Sequence, residues 1–179
     1  MLLEDECHLV WGEVCGLAWG KRNAPLVVPM TNERERQTYY GALNLLTQEF
    51  HVSAAPSGNG VNTVAYIQWC QALYPGKKLL FLWDGASYHR GEEMQNFLAQ
   101  ENAALPEAEW QVTCVRFAPH APEQNPVEDV WLKGKTYLRK QFAVNKTFAQ
   151  VKHCFSTFLQ ALRFTSAKLS WYWPTEQGI

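Results

Sequence analysis

The sequence predicts an α/β protein: a mixed five-stranded sheet whose first strands run antiparallel and whose later strands are parallel, with helices packed on both faces. Three observations predict it. Leu2 to Val10 alternates with period two, and extended segments follow it across short turn-forming stretches. Leu79 to Trp83 is an unbroken apolar run, the mark of a strand covered on both faces and therefore central. Segments of helical periodicity stand on either side of this run, the pattern of crossover-connected parallel strands.

The elements follow in order. On the first strand Leu3, Asp5, Cys7 and Leu9 share one face and Glu4, Glu6 and His8 the other, so Asp5 is the lone charge on an apolar face. Gly20-Lys21-Arg22-Asn23 reads as a turn and Leu26 to Met30 as a further extended stretch. Gln37 to Leu46 and Phe50 to Ala55 read as strands joined through Thr47-Gln48-Glu49, an antiparallel opening of three or four strands. Ser57-Gly58-Asn59-Gly60 breaks that pattern, and Val61, Val64, Ala65, Ile67, Trp69 and Leu73 recur at mostly helical spacing until Pro75-Gly76. Asp84-Gly85 closes the central run. Glu92 to Leu105 then reads as a helix with Met94, Phe97 and Leu98 inward, and Trp110 to Phe117 as a strand. The prolines between Ala118 and Pro126 exclude regular structure. Asn125 is a good N-cap with Pro126 at the first position of a helix running to about Phe142. Thr147 to Leu162 forms the last helix. Its stripe of Val151, Phe155, Phe158, Leu159 and Leu162 serves either the core or a homodimer contact.

A length of 179 residues, 47% of them hydrophobic, fits a single folded domain over 1–179, with 147–179 as a C-terminal helix and tail. The net charge of −1 argues at face value against a self-sufficient basic nucleic-acid binder. The charge is nevertheless segregated: residues 1–129 hold 8 basic and 16 acidic side chains, and residues 130–179 hold 8 basic and 1 acidic. Lys133, Lys135, Arg139, Lys140, Lys146 and Lys152 follow one another with no acid between them, which is either a phosphate-facing surface or a solvated helix face. Five widely spaced cysteines without a C-x-x-C pair fit a reducing cytosol and argue against a Cys/His zinc site. No apolar run is long enough for a membrane span.

Three acids stand where solubility alone explains them poorly: Asp5 on the apolar face, Asp84 at the end of the buried strand, and Glu128 in the first turn after the proline loop. If the first strand neighbours the central one, Asp5 and Asp84 approach each other, and a helix across the sheet end brings Glu128 to them. Clustered carboxylates repel unless cations lie between them, and an oxygen-only set suits two Mg²⁺ ions, with Mn²⁺ as substitute, in phosphodiester displacement. Read singly, each acid also has a structural account. Asp5 could be an edge-strand acid, Asp84 part of an Asp-Gly turn, and Glu128 the partner of Asn125 in a capping box. Asp129 complements the helix dipole and needs nothing further.

Trp83-Asp84-Gly85-Ala86-Ser87-Tyr88-His89-Arg90, and the later Asn125-Pro126-Val127-Glu128-Asp129-Val130-Trp131 with its N-P-x-E-x-x-W spacing, resemble the catalytic core of mariner-superfamily transposases of the insertion sequence 630 type. Asp5-Glu6 resembles the D-E pair that opens the first strand in that family, and Gly41-Ala42-Leu43-Asn44 resembles its third-strand region. The resemblance covers roughly residues 3 to 145.

The resemblance implies an RNase H-like fold and a triad of Asp5, Asp84 and Glu128 holding two divalent ions. It also implies DNA strand cleavage at transposon ends followed by attack of the freed 3′-hydroxyl on target DNA, typically at TA. Lys133, Lys135, Arg139 and Lys140 follow Glu128 on its helix and the continuation, which predicts phosphate contact by some of them, and His120 in the loop before Glu128 contacts DNA or equally packs the loop. His89 corresponds to the block-ending His of the family, which orients a phosphate or the second acid or serves as a hydrogen-bonded structural residue. Asn125 supports the third acid, and Trp131 reads as a core anchor. Gly85 stands where the family usually has Asn. Family members carry an N-terminal helix-turn-helix region, so end recognition is expected from an upstream region or a separate chain. The expected location is the bacterial cytoplasm, at the nucleoid. A non-catalytic, degraded DNA-binding remnant and another RNase H-like nuclease are the alternatives.

Overall fold

The computed structural model describes residues 1–11, 21–23, 35–118, 124–141 and 144–172. Five strands, β1 (Leu2–Val10), β2 (Arg36–Asn44), β3 (Phe50–Ala55), β4 (Leu79–Trp83) and β5 (Val112–Arg116), form one sheet in the order β3-β2-β1-β4-β5. β1, β2 and β3 are antiparallel, and β4 and β5 join parallel to β1. α1 (Gly60–Leu73) and α2 (Glu92–Glu101) supply the crossovers, and α3 (Val127–Lys140) and α4 (Phe148–Gln160) follow β5. The expected second extended stretch, Leu26 to Met30, lies outside the described residues.

Both faces of the sheet are covered. Leu3, Cys7, Leu9, Tyr39, Leu43 and Phe50 pack against Val130, Trp131 and Leu138 of α3 and Val151, Phe155 and Leu159 of α4. On the other face Leu2, Tyr40, Ala42 and Phe81 pack against Tyr66, Ile67 and Cys70 of α1 and Met94 and Phe97 of α2. The central position of β4 is as predicted from its apolar run.

The inward face of α1 is not made of its apolar positions alone. Thr63, Tyr66, Ile67 and Cys70 are buried, whereas Val61, Trp69 and Leu73 are exposed. Thr63 is admitted because its hydroxyl lies 3.1 Å from the Tyr40 hydroxyl and also donates to the Asn59 carbonyl. α2 ends at Glu101 and not at Leu105, because Asn102 leaves the helix to bind the backbone of β5. Its Nδ2 donates to the Val112 carbonyl at 2.8 Å, and its Oδ1 accepts from the Gln111 N–H at 2.8 Å. Those contacts also delay the start of β5 to Val112.

α4 opens on a capping box between Thr147 and Gln150. Val151, Phe155 and Leu159 of its apolar stripe are consumed by the core, and Phe158 stacks on Tyr137 at 4.2 Å. Phe158 and Leu162, the rest of the stripe, are partly buried against the same core. Cys7, Cys70, Cys114 and Cys154 are free thiols. Among the described residues no helix is long and apolar enough to cross a membrane.

Candidate active site

Leu2 of β1 lies opposite Phe81 of β4, and Leu3 opposite Leu82. Continued along the two strands, that register sets Asp5 level with Asp84, the residue after the last of β4. The chain leaves the sheet there through a turn that Asp84 makes for itself, its Oδ1 accepting from the Ala86 N–H at 2.9 Å. Half-exposed at this strand end, the Asp84 carboxylate is accessible to a ligand.

α3 brings the third acid. Its ordered start lies at Val127, one residue later than expected. The cap position falls to Pro126 and not to the expected Asn125, which instead turns the chain into the helix, its Oδ1 accepting from the Val127 N–H at 3.1 Å. The same amide donates to the Glu4 carbonyl at 3.3 Å, tying the first turn, with Glu128 exposed on it, to β1. One turn on, Trp131 is buried in the core, edge-on to Phe50 at 5.0 Å and nearly parallel to Phe155. Its indole N–H donates to Asp5 Oδ2 at 3.1 Å. The expected core anchor thus also fixes the rotamer of an acid. Gly41 pairs with Asp5 across β1 and β2, and its missing side chain leaves the space that the Trp131 and Phe50 rings fill.

The electrostatics place the acids in one field. Asp5 is pushed up to about 7, first by burial and then by the charges of Glu6, Asp84 and Glu128. Asp84 is lowered, chiefly by its hydrogen bond with His89. His89 is buried, with Nδ1 3.3 Å from Asp84 Oδ1 and Nε2 3.2 Å from Glu6 Oε1. Burial lowers its pKa, but the hydrogen bonds to Asp84 and Glu6 together outweigh that and push it up to about 9. His89 thus bridges Asp84 and Glu6 through its two ring nitrogens. The donor set of Asp5, Asp84 and Glu128 fits hard divalent cations: it is oxygen-only, and a dication would relieve the repulsion that drives Asp5 upward.

The basic residues of α3 divide. Lys133, Arg139 and Lys140 are exposed, Lys133 with its Nζ 4.3 Å over the Phe164 ring, and half-buried Lys135 reaches back to the Cys7 thiol. His120 lies outside the described residues. Asp129 pairs with Lys168 at 2.9 Å, a structural role.

Sequence periodicity missed Glu4 and Glu6 as members of the site region. They share a face as expected, but α1, α2 and the segment after β4 cover that face, so Glu4 is fully buried. Two acids within three residues of Asp5 were the available signal.

A pH dependence follows. Asp5 and Glu4 hold protons in the folded chain that they release in the unfolded one, because both are raised by burial. Between the ordinary carboxylate range and about 7 the native state therefore binds more protons, and stability falls as pH rises. His89, raised to about 9, continues the loss above neutrality. In the absence of divalent ions, thermal melting from pH 5 to pH 9 is expected to show a declining Tm. Each extra proton contributes about 1.4 kcal/mol per pH unit. A flat or rising profile would contradict the buried acid cluster.

A family model described as DDE superfamily endonuclease matches residues 1–150. No curated protein matches the chain in sequence. Among solved structures, the Mos1 transposase paired-end complex with left transposon end is similar at 11% identity and a TM-score of 0.60, covering 96% of this chain and 50% of that one. A Mos1 mariner paired-end complex with Mn is similar at 12% identity and a TM-score of 0.58, covering 90% and 48%. The catalytic core domain of BIV integrase is similar at 13% identity and a TM-score of 0.50, covering 87% and 80%. The chain spans about half the length of the transposase chains it matches. The sheet and its helices match the RNase H-like cores of transposases and integrases.

Proposed function

Since the chain belongs to the DDE superfamily endonucleases, we propose that it is the catalytic domain of a DNA transposase of the insertion sequence 630 type, acting at transposon ends and joining them to target DNA. What supports this reading is that the β1–β4 register sets Asp5 level with Asp84 and that the charges of Asp84 and Glu128 both raise Asp5, with Asp84 and Glu128 each inside a matching sequence block and Asp5 in the matching Asp5-Glu6 pair.

Asp5, Asp84 and Glu128 would hold two divalent ions, Mg²⁺ with Mn²⁺ as substitute, which supply positive charge where the attacking and leaving oxygens of the phosphodiester carry negative charge. The chain's own residues set the geometry. Trp131 holds the Asp5 carboxylate by one oxygen, and His89 holds that of Asp84. Asn125 fixes the helix start that carries Glu128 to β1.

In the cleavage step a water oxygen bonds to phosphorus while the 3′ oxygen leaves and takes up a proton. In the joining step that 3′-hydroxyl gives up its proton, bonds to a target phosphorus and displaces the target 3′ oxygen. α3 spans 14 residues, so its basic end lies about 20 Å from Glu128, and DNA lying along it would meet Arg139 and Lys140 with Lys133 and Lys135 nearer the acids. Recognition of the ends is assigned to a helix-turn-helix region beyond these residues, in the same polypeptide or a partner chain.

The test compares Mn²⁺-dependent cleavage of duplex carrying the element's terminal repeats, an RNA–DNA hybrid and a branched DNA. End-duplex nicking with 3′-OH joining is the expected result. Preference for the hybrid or the branched substrate would assign another nuclease of this fold, and salt-sensitive DNA binding without cleavage would assign a non-catalytic remnant.

A further inference from the structure

Glu4 is out of place by the rules that govern buried charge. Its side chain is 1% exposed, and neither carboxylate oxygen has a hydrogen-bond partner. A buried carboxylate in that condition is costly unless it is paired, neutralised or coordinating a cation. The two oxygens do not face apolar groups alone. One donor atom from each of Glu4, Glu6 and His89 lies within 4.8 Å of the others, with His89 Nε2 3.2 Å from Glu6 Oε1 and 3.9 Å from Glu4 Oε2.

A proton on Nε2 serves Glu6 and leaves Glu4 beyond hydrogen-bond range. A cation at the centre of the three would serve all of them, because metal–ligand bonds of about 2.0–2.2 Å put donor atoms about 3 to 4 Å apart. The imidazole is held for that task. It stacks on Trp83 at 4.2 Å and 10°, and Nδ1 faces the Asp84 carboxylate, the carboxylate–histidine arrangement that orients metal-bound imidazoles.

We propose that Glu4, Glu6 and His89 form a second divalent-cation site, on the face of β1 opposite Asp5, selective for transition-metal ions of the Zn²⁺ and Mn²⁺ class over Mg²⁺. The imidazole nitrogen sets that selectivity, and the near-complete burial of the three side chains leaves little room for the waters that Mg²⁺ retains. Asp84 is then shared between two tasks, a ligand on one side and the orienting partner of His89 on the other. The second site stands independently of the transposase reading, because its donors are read from burial and geometry alone.

The experiment counts ions and does not use activity. In an Asp5→Asn/Glu128→Gln chain, which lacks two of the three exposed-site carboxylates, Zn²⁺ titration by calorimetry and native mass spectrometry is expected to show one ion per chain. Adding Glu4→Gln should weaken that binding on the order of a hundredfold or more. Co²⁺ in the same background should give visible absorption that His89→Gln alters. Glu4→Gln replaces a buried carboxyl that has no hydrogen-bond partner with a neutral group of the same shape, so its metal-free Tm should equal or exceed that of its parent; if it does not fold, Glu6→Gln takes its place. Absence of Zn²⁺ binding in the parent background, or affinity unchanged by Glu4→Gln, overturns the proposal and leaves Glu4 a neutral buried acid.

Discussion

Asp84→Asn is expected to lower divalent-ion-dependent DNA strand cleavage about a thousandfold or more while the chain stays folded. The charge stabilisation that a metal-held site gives a phosphoryl transition state is several kcal/mol, and each 1.36 kcal/mol is tenfold in rate. The substitution isolates that effect. The Asp84 side chain is 56% exposed, and the asparagine oxygen can still accept from the Ala86 N–H and from His89 Nδ1. What disappears is the negative charge. Glu128→Gln acts on an exposed residue in the first turn of α3 and should cost a similar factor. The pair acts as one unit, so the double variant should be little worse than either single one. Nicking of labelled duplex in Mn²⁺, alongside circular dichroism melting, checks both points. Cleavage within tenfold of the parent by a folded Asp84→Asn chain would remove Asp84 from the site.

The residues that carry this prediction were legible because local rules place them. Period-two alternation put Asp5 on the face that the core covers, and an unbroken apolar run put Asp84 at the end of a central strand. Asn125-Pro126 marked the helix start that presents Glu128. What the sequence hid depends on long-range packing. Alternation assigned Glu4 to a polar face, yet α1 and α2 cover that face too, which no local pattern reveals. Apolar spacing alone does not give the inward face of α1, because Thr63 and Tyr66 are buried through hydrogen bonds to Tyr40 and to the His51 carbonyl, and hydrophobicity does not register those bonds. Asn102 ends α2 by binding β5, a contact between segments nine and ten residues apart. The net charge of −1 is likewise resolved by position: acids gather at the strand ends, and the exposed bases Lys133, Arg139 and Lys140 lie along α3.

Gly41→Ala should be the most damaging small substitution in the sheet. A Cβ at that position would lie 2.3 Å from Phe50 Cζ and 2.5 Å from Trp131 Cζ2, and both rings are buried with no path outward. Overpacking of this kind costs about 1–3 kcal/mol, which for a chain of this size lowers Tm by roughly 2–12 °C. The displaced indole also pulls its N–H away from Asp5 Oδ2, so stability and any cleavage should fall together. Trp131→Phe separates the two effects, since it keeps an aromatic ring in the core but removes the donor. Its loss of cleavage should exceed its loss of stability. Gly85→Ala is the control: nothing lies within 4 Å of an added Cβ there, so Tm should be unchanged although the residue adjoins Asp84. Equal melting of Gly41→Ala and Gly85→Ala would refute the close approach of Trp131 to β2, and with it the account of how Asp5 is held.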